Sequence, residues 1–105
     1  MATAANNVPV NIVPPKHGMI FIIKAIILSG DRSIAQNGAV CAVYENNTSG
    51  TDTVQESVII TEEIAKQTRM VISGVNIAVT QGKWINLVSD DVIVRCNIEG
   101  YYVNS

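Results

Sequence analysis

Apolar and polar residues alternate along much of the chain with a period of two. That is the repeat of a strand with one face on a core and the other in water. The pattern is clearest in the last third. Val75, Ile77 and Val79 alternate with Asn76, Ala78 and Thr80, and Val92, Val94, Cys96 and Ile98 alternate with Ile93, Arg95, Asn97 and Glu99. Gln81-Gly82-Lys83 and Ser89-Asp90-Asp91 read as turns on either side of a run that begins at Trp84. Further strands are expected at 39–44, 53–60 and 69–73, separated by polar loops at 29–38 and 45–52. Gly74 marks a candidate bulge. Thr61 before Glu62-Glu63 has the cap and first-turn acids of a helix start, so one short helical turn is expected near 61–66.

Residues 19–28 depart from this rule. Met19, Phe21, Ile23, Ala25 and Ile27 would line one face of a strand, and Ile20, Ile22, Lys24, Ile26 and Leu28 the other. Both faces are apolar apart from Lys24. A strand of this kind is covered on both sides, whereas a sandwich normally covers only one. The second face therefore calls for another cover, from a terminal segment or, preferably, a second subunit.

Before it, residues 1–15 read as an extended arm, either a disordered start followed by an edge strand or an arm that crosses to a neighbouring subunit. Pro9, Pro14 and Pro15 exclude helix and discourage central-strand pairing. Val8, Val10, Ile12 and Val13 give the arm apolar handholds. Residues 16–105 form the domain. Short strands with turns at intervals of roughly ten residues indicate an all-β fold, a small antiparallel β-sandwich of jelly-roll-like form. The candidate interaction residues are Val8, Val10 and Ile12 on the arm, Ile20, Ile22, Ile26 and Leu28 on the second face of the long strand, and Tyr101 and Tyr102 near the chain end.

Composition sharpens this picture. Hydrophobic residues make up 48% of the 105, but only 5% are aromatic. The apolar weight therefore lies in Val and Ile, which suit a pleated surface. Charged residues are 15% of the chain. A usual value is roughly 25%. So few charges suit a subunit that hides surface against neighbours. The net charge is −2 and the basic residues are scattered, so no nucleic-acid partner is expected. No apolar run reaches the length of a membrane span. The first residues lack the basic and apolar regions of a secretory signal, so the overlapping sequons at 46–49 read as a turn.

Catalytic patterns are not found. His17 is the only histidine and sits in a turn. Glu62-Glu63 and Asp90-Asp91 are adjacent pairs that do not converge as a catalytic dyad or a calcium loop would. Cys41 and Cys96 fall within strands and read as small buried hydrophobes, with a disulfide open only if their strands face each other. No enzyme activity, metal or cofactor is expected. Trp84 reads either as core or as part of a binding surface.

The order of features resembles a small β-sandwich found among tailed-phage virion proteins. The likeness runs over residues 16–103. It begins with the long apolar strand after His17-Gly18 and the polar loop behind it, then the strand at 40–44 and the Ser/Thr/Gly loop at 48–53. The strand with following acids at 58–63, the strand leading to a Gly turn at 75–82, and a last strand ending in Gly100-Tyr101-Tyr102 complete it. The resemblance implies a structural virion component, foremost a capsid decoration (cement) protein that forms homo-oligomers, with a trimer favoured, and binds a major capsid or other virion protein. It carries no catalytic residues to transfer. Tail adaptors and fibre-associated modules that bind a carbohydrate or receptor are the alternative.

Overall fold

A computed structural model describes residues 2–4, 8–30, 39–47, 55–65, 68–90 and 94–105. Among them are eight strands and no helix. They are β1 (Ala2–Ala4), β2 (Val10–Val13), β3 (Met19–Gly30), β4 (Ala39–Asn46), β5 (Ser57–Ile64), β6 (Arg69–Ala78), β7 (Trp84–Ser89) and β8 (Val94–Asn104). Two four-stranded antiparallel sheets result, ordered β1-β8-β3-β6 and β2-β7-β4-β5. The pairings nest: β1 with β8, β2 with β7, β3 with β6 and β4 with β5. A nested set of this kind is one long antiparallel hairpin rolled over on itself, with the added contacts β3–β8 and β4–β7 closing each sheet. It is the strand arrangement of a jelly roll, which keeps exposed edges short by folding the ribbon into two facing sheets.

The core lies between the sheets. Ile23, Ile26, Leu28, Val94 and Cys96 come from one side, and Ala39, Cys41, Val43, Ile64, Ile85 and Leu87 from the other. β3 does not keep strict alternation. Its pairing with both neighbours shifts between Ile23 and Ala25, leaving Lys24 as an extra residue against β8. An inserted residue exchanges the two faces beyond it. Phe21 and Ile23 face inward before the bulge; Ile26 and Leu28 face inward after it. On β6 the matching irregularity falls at Gly74, whose φ is 71°. That conformation is readily adopted only without a Cβ. The bulge anticipated at Gly74 is therefore in place, and it joins the strand expected at 69–73 to the one at 75–80.

The helical turn expected near 61–66 does not form. Residues 61–64 continue β5, with Thr61 opposite Ala42 and Ile64 opposite Ala39. Ile64 is 2% exposed in the core. Burying an isoleucine and extending a ladder outweigh a helix cap worth about 1 kcal/mol. Lys66 lies outside the described residues. So do residues 53 and 54 of the strand expected at 53–60, whose observed strand begins at Ser57.

The segment read as an arm is built into the sandwich. β1 is an edge strand of one sheet and β2 of the other, so these two strands belong to the jelly roll. The segment is also tied down at its end: Tyr102 donates its hydroxyl to the Pro14 carbonyl at 2.6 Å. Tyr102→Phe is expected to cost about 1 kcal/mol. The effect should be read by urea denaturation, and an unchanged midpoint would show that the tie carries no weight.

Candidate interaction surface

The bulge in β3 decides which residues are available to a partner. Ile26 and Leu28, expected on the outward face, are corrected to the core, where both are fully buried. Their place outside is taken by Ile27, which the strict alternation had put on the other face. Ile20 and Ile22 lie before the bulge and do face outward. Cross-strand neighbours share a face, so the register places Val103 beside Ile20, Tyr101 and Ala78 beside Ile22, and Val71 and Asn97 beside Ile27. Tyr101 is 50% exposed and Val71 52%. None of Ile20, Ile22, Ile27, Val71 and Val103 packs on the core cluster. At the middle of this face Lys24 donates a hydrogen bond to the Asn76 side chain, and Glu99 stands next to Ala25.

Three other expected interaction residues are placed differently. Val10 and Ile12 pack against the core through β2, because that short edge strand closes over the gap between the sheets. Tyr102 turns inward. Its ring meets Phe21 edge-on at a centroid distance of 5.0 Å, and the Lys16 ammonium sits 4.2 Å from its centroid. Partial burial raises the Tyr102 phenol above its ordinary pKa. Val8, at 54% exposure, remains open.

The outer side of the second sheet is different in kind. Tyr44, Asn46 and Asn86 alternate with inward Val43, Ile85 and Leu87, and so occupy outward positions. Yet Tyr44 and Asn86 are fully buried and Asn46 is 2% exposed, covered by the chain itself. Trp84, opposite Asn46, is half-buried and stands outside the core cluster. A depression of about 320 Å³ lies farther along, with Val40, Ala42, Thr61 and Val88 in its wall. Asp90 sits at its rim and is held by the backbone: its carboxylate accepts the Val40 N–H at 2.8 Å, and its own N–H donates to the Val40 carbonyl at 3.0 Å. Asp91 lies outside the described residues. Glu62 and Glu63 are strand residues on β5.

At one end of the sandwich, turns at His17-Gly18 and Gln81-Gly82 enclose a second hollow of about 240 Å³ with Pro15 and Lys16. His17 is exposed there. Nearby, Lys83 pairs with Glu56 at 3.0 Å, and Asn47 donates to the same carboxylate. These polar groups satisfy one another across a loop junction. No group of three or more His, Cys, Asp or Glu residues is positioned to hold a metal ion among the described residues.

The two cysteines are free thiols on opposite sheets, Cys41 at 2% exposure and Cys96 fully buried. Burial pushes the Cys41 thiol up to about 11, with the Glu62 charge adding to it. Burial pushes Cys96 up to about 12, and the neighbouring Cys41 adds to that. A thiol whose folded pKa is raised holds its proton longer in the native state. Its contribution to stability is therefore complete below the unfolded value of 9.0 and is lost as pH rises toward about 12. Stability measured by denaturant is expected to fall across that window, and Cys96→Ala to flatten the fall. At pH 8 neither thiol should react with an aromatic disulfide reagent until the chain is unfolded. Rapid labelling of the native protein would contradict this burial.

Sequence reasoning missed Ile27, Val71 and Val103 as surface residues. Val103 alternates with Tyr102 and could have been found; Ile27 and Val71 depend on the bulges. No protein-family model matches the chain, and no curated protein or solved structure is detectably similar to it.

Proposed function

We propose that this chain is a non-enzymatic structural protein of a phage virion, a capsid decoration (cement) protein that stabilises the shell through subunit contacts. It works as a homo-oligomer, with a trimer expected, bound to a major capsid or other virion protein. The observation that carries this reading is the outward face of the β8–β3–β6 sheet, with Ile20, Ile22, Ile27, Val71, Tyr101 and Val103. An apolar face of that kind is expected where another protein surface covers it. Jelly rolls recur in viral capsid and lectin domains. A fold hosts many functions, so the weight rests on the surface.

The alternative is a tail adaptor or fibre-associated module that binds a carbohydrate or receptor, and the support for such binding is the aromatics Trp84, Tyr101 and Tyr102 with the polar Asn-rich loops. Trp84 and Tyr101 belong to different sheets and Tyr102 turns inward, so the three do not form one stacking platform. The decisive experiment is density-gradient fractionation of particles from cells that produce this chain. The chain is expected to travel with heads, and heads lacking it to open at lower temperature. Its recovery only among free proteins would overturn the proposal.

A further inference from the structure

We infer that the outward face of the β8–β3–β6 sheet is covered by a second copy of this chain, an inference that rests on the homo-oligomer of the reading above. Three observations lead there. The first is a contrast between the sheets. On the second sheet the chain itself buries the middle of the outward side, Tyr44 and Asn86, and leaves Val40 and Val58 toward its β4–β5 edge at 43% and 49% exposure; on the first, Tyr101 and Val71 flank the central strand and are about half exposed.

The second is size. β3 has 12 residues. At ~3.4 Å per residue and ~4.8 Å between strands, three strands present a face of roughly 600 Å². A stable contact needs on the order of 500–1,000 Å² from each partner, so this face suffices for one neighbour.

The third is charge. The middle of the face holds Lys24 and Glu99, one residue of each sign, and Lys24 is already hydrogen-bonded to Asn76. A strongly acidic or basic partner would find no matching field there. A copy of the same face brings the same two signs, and each Glu99 can offset the other copy's Lys24. The remaining charges mark a rim: Arg69 and Arg95 are exposed on either side of Ser29 at the end of the face. An apolar centre with charge kept to the edge is the usual anatomy of a protein contact.

Light scattering coupled to size exclusion tests this on the full chain, as wild type, as Ile22→Lys, and as the double variant Val71→Lys with Tyr101→Lys. Circular dichroism and thermal melting report folding. The double variant changes only half-exposed positions, so it keeps the test open if Ile22→Lys fails to fold. Two copies that meet through this one face are related by a two-fold axis, so the wild type is expected at the mass of two chains or an even multiple of it. A three-chain mass would mean that the copies meet through unlike surfaces and overturns this pairing, while leaving the trimer of the reading above. The folded variants are expected at single-chain mass, with association weakened roughly thirtyfold or more. A wild type of single-chain mass overturns the inference. So does a folded double variant that keeps the oligomer. If the gradient experiment still places a single-chain protein on heads, the virion reading stands without this contact.

Discussion

Gly100→Ala is expected to destabilise the protein by about 3 kcal/mol, the upper end for overpacking a filled site. For a domain of this size that corresponds to a fall in Tm of roughly 10–20 °C. Gly100 lies on β8 opposite Ile23. A Cβ there would overlap the carbonyl oxygen of Ile22 and lie 2.7 Å from Phe21 Cζ and 2.8 Å from Phe21 Cε2. The ring could turn aside, but the carbonyl belongs to the central ladder and can move only with β3. The residue has no unusual φ, so the requirement is for space alone. The Phe21 ring, held edge-on by Tyr102, covers the glycine and leaves the strand no larger choice. Differential scanning calorimetry on the single variant checks this; a shift of less than a few degrees would mean that the two strands separate easily at this point.

The second large effect concerns the face exchange in β3. Leu28 is fully buried. Leu28→Ala should cost about 2–5 kcal/mol, because it leaves a cavity between the sheets. Ile26→Ala should fall in the same range. Ile22 lies before the bulge, on the outer face. Ile22→Ala should therefore cost the isolated chain far less, within about 1 kcal/mol. Denaturant unfolding of the three variants compares them directly, at a concentration where any oligomer has dissociated. A strand without the bulge would put Ile22, Ile26 and Leu28 on one face and give three similar losses. Equal costs would therefore overturn the observed register.

Much of the fold was legible without coordinates. Period-two alternation, the wealth of Val and Ile and the polar turns specify an all-β sandwich, because those patterns act locally: each strand must present one apolar side. The sparse charge is likewise a property of the chain as written. Three matters were decided only by tertiary contacts. Residues 61–64 carry a helix-start signal, yet pairing with β4 and burial of Ile64 hold them in a strand. The segment before Pro14 reads either as a disordered start with an edge strand or as an arm to a neighbouring subunit, and only the pairing of β1 with β8 and of β2 with β7 shows two edge strands, one on each sheet. The outward residues of β3 could not be read from alternation, because one extra residue at Lys24 moves Ile26 and Leu28 inside and Ile27 outside. Alternation fixes that a strand has two faces. Which face meets the core beyond a bulge depends on where the neighbouring strands place their hydrogen bonds, and those neighbours, β6 and β8, are distant in sequence.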